Sequence, residues 1–456
     1  MAQRDGLDRR AFLKNAGLTA VIGAVGSGTP LAAAASAVTA DAAGGVFDFD
    51  TPYNRVGTDC TKWDRQIATF GMKKIVAGMG IADMDFRSAP CITKALTERM
   101  QHENWGYLTM PQSHVDSIVS WNKKRYHLEI APESIVHSPS LHPAILSVLR
   151  VFSPPGTKVI VQTPTYNAFF TDIRQVGCKA EENKLKLVNG RYQMDFEALE
   201  RQIDHETNTL ILCNPQNPTG NVWSKQDLMT LGEICVKRRV IVLADEIHCD
   251  FVMKGQQYTP FASLPNEAVV RNSFTFKSAS KSFNLAAMKC AYFFSTNPDY
   301  LATVKAHGHR EDVSTLGVVA HRAAYTEGGD WLDQLVAYID GNHEFAESYI
   351  KQHLPLVKYV KAQGTYLAWI DVSGVVDKID AHKLAVEATK KNPPNAAPVT
   401  PAAIVERYFV DHAQVHMNNG VGYGLGGETR MRMNIGTSRK TLEAALASLA
   451  SALRNV

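Results

Sequence analysis

Three short segments of the 456-residue chain carry side chains that could do chemistry together. They read NPQNPTG at 214–220, DEIH at 245–248 and SASKSFNL at 278–285. A buried lysine such as Lys281 can form an imine with an aldehyde or remove a proton, and the carboxylate of Asp245 can keep a nitrogen protonated. Each segment alone is common: Asp245 could simply cap a helix, and a lysine among serines is usually solvated. Only the three together indicate a site.

The elements around these segments predict a largely parallel sheet with helices on both faces. Short runs rich in β-branched residues at 158–162, 209–213 and 240–244 predict buried strands. The predicted helices near them are 91–103, 143–152 and 224–238. In such sheets ligands bind beyond the carboxyl ends of the strands. The polar residues that follow the second and third runs are therefore expected at one binding edge.

The three segments resemble those of the class I/II aminotransferase superfamily of pyridoxal 5′-phosphate (PLP) enzymes. Finer matches resemble the cystathionine β-lyase branch, of the MalY/PatB type, from about residue 48 to 450. These matches are 54–64, ADMDF at 82–86, WGY at 105–107, TPTY at 163–166 and GTYLAW at 364–369. The resemblance implies an α/β, fold-type-I enzyme with a mostly parallel seven-stranded sheet and a smaller α/β C-terminal domain.

The resemblance also implies domain limits. We expect an N-terminal arm that belongs partly to the small domain at 41–88, a large PLP-binding domain at 89–330 and a small domain at 331–456. A long helix at 330–353 is expected to lead into the small domain, which would contain a strand at 365–371. The proline-rich stretch 390–401 is expected to be a loop.

The resemblance implies PLP as the cofactor and assigns roles to five residues of the site. Lys281 would hold the cofactor as an imine and, once freed, act as general base. Asp245 would keep the pyridine nitrogen protonated, which makes the ring an electron sink. Asn217 would donate to the ring 3-oxygen, and Tyr166 would stack on the ring. His248 would contact that oxygen or shape the pocket. Taken alone, Tyr166 is more typical of a core and His248 of a structural role.

The cofactor phosphate is expected at the start of the helix predicted at 143–152. The turn formed by Ser140, Leu141 and His142 would offer backbone N–H groups there, although the family often has glycine where Ser140 stands. Ser278 fits the role of a hydroxyl donor to the same phosphate.

Two further residues are candidates for the phosphate. Lys289 stands where many aminotransferases carry a phosphate-binding arginine, and it could equally be a surface charge. Tyr107 resembles a residue that reaches the phosphate from the neighbouring subunit. The resemblance therefore implies a homodimer.

A predicted strand near the C-terminus reads RMRMN at 430–434. Arg432 matches the family arginine that binds the substrate α-carboxylate through a bidentate pair. Arg430 points to the same face by the period-two rule, so the choice between the two rests on the resemblance. The glycines of 420–427 predict a flexible loop that serves as a substrate lid. Their spacing is too irregular for a nucleotide fingerprint.

The first forty residues predict a signal peptide that takes no part in the fold. DRRAFLK at 8–14 is a twin-arginine pattern, followed by an apolar stretch at 16–25 and small-residue cleavage sites at 35–40. We expect periplasmic or secreted localisation. The apolar run is too short for a confident membrane span, so no stable membrane insertion is expected. A disordered tail and an uncleaved anchor are the alternatives.

Charge and cysteine content exclude several classes. The formal net charge is only +3, so we expect no nucleic-acid partner and no polybasic membrane surface, but a small, solvated substrate. The seven cysteines show no C-x-x-C spacing. We therefore expect neither a disulfide framework nor a metal site.

The reaction itself stays open between two branches. An α-amino acid that loses a thiolate from Cβ gives pyruvate, ammonia and a thiol, whereas proton return to the cofactor gives transamination. The same residues serve both. The branch resemblance favours β-elimination from cystathionine, cysteine or cysteine conjugates, and an aminotransferase for an L-amino acid is the alternative. A non-catalytic PLP-fold binding protein is a remote third, because Lys281, Asp245, Asn217 and Arg432 are all present.

Overall fold

Seven strands form the central sheet of the protein, seen in a computed structural model that describes residues 45–72, 75–393, 395–454 and 456. In sheet order they are Ile135–Ser138, Ala291–Phe294, Ser273–Lys277, Ile241–Asp245, Thr207–Cys213, Lys158–Thr163 and Lys179–Lys184. All neighbours are parallel except Ala291–Phe294, which runs antiparallel to both of its neighbours. The mostly parallel seven-stranded sheet and the α/β class are confirmed.

The inner strands are buried because helices cover both faces of the sheet. All five residues of Ile241–Asp245 and of Ser273–Lys277 are buried, and so are six of the seven in Thr207–Cys213. This double burial explains why the sequence shows continuous apolar runs rather than alternation. The three strand predictions at 158–162, 209–213 and 240–244 are confirmed within two residues at each end.

Sixteen α-helices surround this sheet and the smaller ones in the described part of the chain. They are Asp64–Phe70, Pro90–Met100, Gln112–Tyr126, Leu141–Phe152, Ala168–Gln175, Phe196–Gln202, Lys225–Arg238, Glu267–Arg271, Ala279–Ser282, Pro298–Ala306, Thr315–Glu327, Gly329–His353, Ser373–Lys378, Ala381–Lys390, Pro401–Ala413 and Arg439–Arg454. The predicted helices begin and end within three residues of these bounds. Lys225–Arg238 starts at a capping box, in which Ser224 and Asp227 bond each other's backbone N–H groups.

A second, three-stranded sheet supplies the C-terminal part of the site. It consists of Leu367–Asp371, Arg430–Asn434 and Asn418–Asn419, all antiparallel. Two pairs of short strands complete the sheet structure: Ala77–Gly78 with Val415–His416, and Lys186–Val188 with Arg191–Gln193. The long helix Gly329–His353 contributes Leu332 to the core beside the central sheet and Ala346 to the core of the three-stranded sheet.

The remaining sequence predictions concern the N-terminal region, membrane insertion and the domain limits. The predicted signal peptide, 1–40, lies outside the described residues. The turn residues in 41–90 predict mostly irregular structure there, and the described part of this stretch also contains the helix Asp64–Phe70, which is too short to show a clear period. Within the described chain, no helix is both long and apolar enough to cross a bilayer. The domain limits proposed above stay predictions.

Candidate active site

The carboxyl edge of the central sheet brings the three sequence segments together. Thr207–Cys213 and Ile241–Asp245 are parallel neighbours, with Cys213 and Asp245 in register, so Asn217 follows one strand and Asp245 ends the next. The third strand, Ser273–Lys277, leads into the short helix that carries Lys281. Parallel strands end at the same edge, which explains why segments that start up to 64 residues apart in sequence meet here.

Lys281 is partly open to the cleft, but its amine is enclosed. The Nζ donates a hydrogen bond of 2.6 Å to the carbonyl oxygen of Ala82. Burial and, next in size, the positive charge of Arg432 together lower the pKa of this amine to about 8, while Asp83 and Asp245 oppose the change. A lysine with such a pKa has a usable neutral fraction near neutral pH, which a nucleophilic or basic amine requires.

Asp245 is buried, and burial raises its pKa to about 6. Its Oδ1 accepts a hydrogen bond of 3.0 Å from the Ile247 backbone N–H, and the charges of His142 and Lys281 also favour the carboxylate. A buried carboxylate with so few donors is stabilised by a cation placed against it. Asp245 therefore suits the partner of a protonated ring nitrogen.

Arg432 is the arginine that the structure places in the site. Its guanidinium donates to Asn217 Oδ1 at 3.1 Å and to the Gly80 carbonyl at 2.6 Å. Arg430, which sequence alone could not exclude, instead forms an ion pair of 3.3 Å with Asp371 on the neighbouring strand. The guanidinium of Arg432 lies 5.2 Å from the ring centre of Tyr423, which sequence reasoning did not identify.

His142 and Tyr166 form the side of the site next to the helix Leu141–Phe152. The Nδ1 of His142 lies 2.7 Å from Asp172 Oδ2, and its Nε2 lies 3.5 Å from the Tyr166 hydroxyl. The hydrogen bond with Asp172 raises the pKa of His142, whereas burial raises the pKa of Tyr166 to about 12. Asp172 was missed because it lies in a helix 30 residues downstream, without any local motif.

His248 is buried against Tyr366. The two rings lie 5.7 Å apart in an edge-to-face arrangement, and burial keeps the pKa of His248 well below its usual value, aided by the charges of Lys281 and Arg432. The Tyr366 hydroxyl shares the Ala82 carbonyl with Lys281, at 2.9 Å. Tyr366 belongs to the GTYLAW motif, so a signal for it existed, but no role had been predicted.

The residues predicted to bind the phosphate differ in position: Ser140 and Ser278 lie at helix starts, whereas Lys289 and Tyr107 are exposed. Ser140 immediately precedes the helix Leu141–Phe152, and its side chain makes no capping hydrogen bond there. Ser278 is the N-cap of its own helix, with its hydroxyl 2.9 Å from the Cys290 carbonyl. Lys289 is exposed, at a left-handed φ of 58°. Tyr107 is fully exposed, so the described chain alone gives it no contact with the site.

The glycine-rich loop packs on the sheet edge. The Tyr423 carbonyl accepts from the Thr165 N–H at 2.9 Å, and the Leu425 N–H donates to Glu182 at 2.7 Å. At Gly424 (φ 85°), an added Cβ would lie 2.5 Å from the Glu182 carboxylate. Glycine is therefore required for this close approach. The loop does border the site, and its movement as a lid stays a prediction.

Comparisons with known proteins decide the family. A family model described as aminotransferase class I and II matches residues 74–449. The chain belongs to this family. It is 35% identical to cystathionine β-lyase PatB of Bacillus subtilis over 89% of this chain and all of that protein, and 30% identical to protein MalY of Escherichia coli over 90% and all of that protein.

Solved structures of the class I and II family agree. Cystalysin of Treponema denticola, whose crystal structure contains PLP, gives a TM-score of 0.81 at 28% identity, over 90% of this chain and 99% of that one. The PLP-bound C–S lyase of Staphylococcus hominis gives 0.79 at 27% identity, over 89% and 99%. The protein is thus a PLP-dependent enzyme of this lyase and aminotransferase family.

The side chains of this family member fit the cofactor. The amide oxygen of Asn217 accepts a hydrogen bond from Arg432, so its NH₂ group remains available to donate to a ring oxygen. His248 Nδ1 and Arg432 Nε are buried without a hydrogen-bond partner among the described residues. Buried polar atoms are normally paired, so both indicate a polar ligand in this cleft. Lys281 and Asp245 supply the amine and the counter-charge.

A buried network of charged groups lies directly behind the site, and no sequence motif indicated it. Lys277 is almost fully buried, with its Nζ 2.9 Å from Asn122 Oδ1 and 3.8 Å from Glu246 Oε2. Asp250 accepts a hydrogen bond from the Ser282 hydroxyl. Glu246 directly follows the aspartate of the site in sequence, and Ser282 directly follows its lysine. The network therefore fixes the backbone on which both side chains stand.

Proposed function

We propose that this enzyme cleaves the Cβ–S bond of L-cysteine thioethers such as cystathionine and S-alkyl cysteines. The bond to sulfur breaks, and with uptake of water the products are a thiol, pyruvate and ammonia. The relative of 35% identity is named a cystathionine β-lyase, and C–S lyases are among the similar structures. The choice of this reaction rests on these relatives. The geometry that any reaction at the substrate Cα requires is supplied by Lys281 and Arg432, which donate to the carbonyls of Ala82 and Gly80, two residues apart on one backbone segment.

The protein groups perform three tasks in this reaction. Arg432 binds the substrate α-carboxylate through its planar fork, which orients the Cα–H bond. Lys281, Asp245 and Asn217 would hold PLP, whose ring would supply an electron sink for the pair left at Cα. The amine of Lys281 takes the Cα proton and can hand it to the departing sulfur, since its pKa of about 8 lies close to the value of about 8.5 of an ordinary thiol.

The test is a substrate panel without any keto acid. Incubation with L-cystathionine and several S-alkyl cysteines should release pyruvate and thiol in equal amounts over many turnovers. Lys281→Ala should abolish this release and the visible absorbance band of the lysine-bound cofactor. Conversion of the bound cofactor to its amine form after a single turnover, with no thiol, would refute the lyase.

Transamination is the second candidate, because the matching family model is described as aminotransferase class I and II, but the named relatives support the lyase more strongly. Lys281, Asp245, Asn217 and Arg432 would serve it equally, because both reactions begin with the same Cα proton. Steady turnover of an L-amino acid only when a keto acid is supplied would establish this alternative.

A homodimer is part of the proposal. The segment 100–108 exposes several large apolar side chains, among them Met100, Trp105 and Tyr107. Such a patch is unusual on a monomer, and a second copy of the chain would cover it. If Tyr107 reaches the neighbouring site, a mixture of the inactive variants Lys281→Ala and Tyr107→Ala should regain activity, because one site of each mixed dimer is intact. No recovery in a proven mixed dimer would refute the shared site.

We also propose export through the twin-arginine route, supported by the pattern at 8–14 and the apolar stretch after it. Replacing Arg9 and Arg10 by lysine should retain the enzyme in the cytoplasm of its host. Unchanged fractionation of this variant would refute the proposal.

A further inference from the structure

The backbone from Gly80 to Met84 is a row of hydrogen-bond acceptors, called here the carbonyl row. Each of its carbonyl oxygens accepts from at least one side chain of another part of the chain. The donors are Arg432 on Gly80, Asn434 on Ile81, Lys281 and Tyr366 on Ala82, Lys62 and Asn434 on Asp83, and Arg55 and Asn284 on Met84. This concentration of side-chain donors on one irregular stretch indicates a built feature.

The carbonyl row has no sheet or helix of its own to hold it. It lies between the strand Ala77–Gly78 and the helix Pro90–Met100, in a stretch without regular structure. Buried carbonyls must find donors elsewhere when secondary structure does not supply them. The position of the row therefore depends on the side chains that bind it.

Two of these donors, Arg432 and Lys281, are the residues proposed to bind the substrate carboxylate and to remove the Cα proton. Arg432 bonds Gly80 at 2.6 Å, and Lys281 bonds Ala82 at 2.6 Å. Because the two acceptors are two residues apart on one backbone, the row sets the separation and the direction of the guanidinium and the amine. A shift of the row would move both groups together.

A cluster of four charged side chains, of which Lys62 and Asp85 are buried, anchors the C-terminal end of the row. Lys62, which is fully buried, donates to Asp85 at 2.7 Å and to the Asp83 carbonyl at 2.9 Å. Arg55 contacts both carboxylates, Asp83 at 3.0 Å and Asp85 at 3.2 Å, and Trp63 Nε1 donates to Asp85 at 3.0 Å. Two cations thus face two carboxylates, so the charges of the cluster, including the buried pair Lys62 and Asp85, are balanced.

We propose that Lys62 and Asp85 are positioning residues, which hold the carbonyl row where it aims the Lys281 amine at the substrate Cα and the Arg432 guanidinium at its carboxylate. The inference rests on the roles given to Lys281 and Arg432 under the proposed function, and it holds for a lyase and an aminotransferase alike. Neither Lys62 nor Asp85 touches the substrate or the cofactor in this proposal.

The test measures exchange of the α-hydrogen of L-alanine in D₂O by NMR, per bound PLP. Alanine has the amine and carboxylate but no leaving group. The rate of exchange therefore reports proton removal by Lys281, and the half-saturating alanine concentration reports carboxylate binding by Arg432. A catalytic group misplaced by about 1 Å can lower the reaction rate about 100-fold. In Lys62→Met we therefore expect the exchange rate to fall about 10- to 100-fold and the half-saturating alanine concentration to rise. A merely structural role would lower stability and cofactor content, but not the rate per bound cofactor.

Arg55→Lys is a milder variant that tests the proposal even if Lys62→Met does not fold. Arg55→Lys keeps the charge but loses the fork that reaches the Met84 carbonyl and both carboxylates. Its exchange rate should fall in the same direction by a smaller factor. Because the charge is retained, the pH at which exchange is half-maximal should stay unchanged.

Two controls separate positioning from loss of stability. Asp371→Asn breaks the ion pair with Arg430 on the strand that also carries Arg432, and Leu449→Ala opens the core of the three-stranded sheet. Both should exchange at the wild-type rate per bound cofactor.

The outcomes are distinct. Wild-type exchange in Lys62→Met and Arg55→Lys would overturn the proposal, and so would an equal loss in Leu449→Ala. If Lys62→Met does not fold, Arg55→Lys decides alone. Wild-type protein that holds its full complement of cofactor yet exchanges nothing would overturn the proposed function instead.

Discussion

The Lys281 amine should bind PLP covalently at a rate that follows its own titration. Only the neutral amine attacks an aldehyde, and its pKa is lowered from 10.5 to about 8. At pH 7 about one amine in 11 is then neutral, against about one in 3,000 for an ordinary lysine. The structure therefore predicts capture about 300-fold faster at pH 7 than an unperturbed lysine would allow.

The assay is rapid mixing of cofactor-free protein with PLP across a pH series, followed by the visible absorbance of the bound form. The rate should rise about tenfold per pH unit below 8 and level off above it. A rate that still rises tenfold per unit between pH 9 and 10 would refute the lowered pKa of Lys281. Lys281→Ala should show no such absorbance change, which would confirm that the signal comes from this amine.

A variant at Arg432 separates the two causes of the lowered pKa. Burial is the larger cause and the charge of Arg432 the next. Arg432→Gln removes the charge and leaves the burial, so the midpoint of capture should move upward but stay below 10.5. An unchanged midpoint would show that the arginine does not act on Lys281.

Two further predictions concern groups around the site. Lys277→Met should lower the free energy of unfolding by about 3–5 kcal/mol, because it leaves the buried carboxyl group of Glu246 without its cation; urea unfolding should show that adding Glu246→Gln recovers most of the loss. Asp172→Asn should lower the pKa of His142, visible by NMR titration, because the hydrogen bond that raises it is weakened. Since a raised histidine pKa stabilises the fold below the unfolded value and the effect fades as pH rises, this variant should lose more stability at pH 5 than at pH 9.

The carboxyl edge of the sheet could be predicted because it is a local consequence of sequence. Continuous apolar runs identify the inner strands, and the residue that follows each run must lie at the edge. The segments that contain Asn217 and Asp245 were therefore placed at this edge from the sequence, whereas the roles of these residues and of Lys281 were implied by the family resemblance. Arg432 was found only through the family resemblance, because strand alternation puts Arg430 on the same face, and the residue that distinguishes them, Asp371, lies on another strand.

The supports of the site could not be predicted, because they act over long sequence distances. Lys62 reaches Asp85 across 23 residues, and Tyr366 reaches Ala82 across 284. Lys277 ends a buried strand, where its charge would suggest an exposed position until Glu246 and Asn122 are seen beside it. No spacing rule connects such partners, so only the tertiary structure shows them.

The same geometry couples substrate binding to the strength of the base. The positive charge of Arg432 lowers the pKa of Lys281, and a substrate carboxylate paired with that guanidinium would offset the charge. The amine of Lys281 should then become a stronger base once the α-carboxylate is in place, when the Cα proton has to be removed. Because the carbonyl row fixes both groups, this coupling depends on a segment of the chain that contacts neither the ring nor the phosphate in the proposed arrangement.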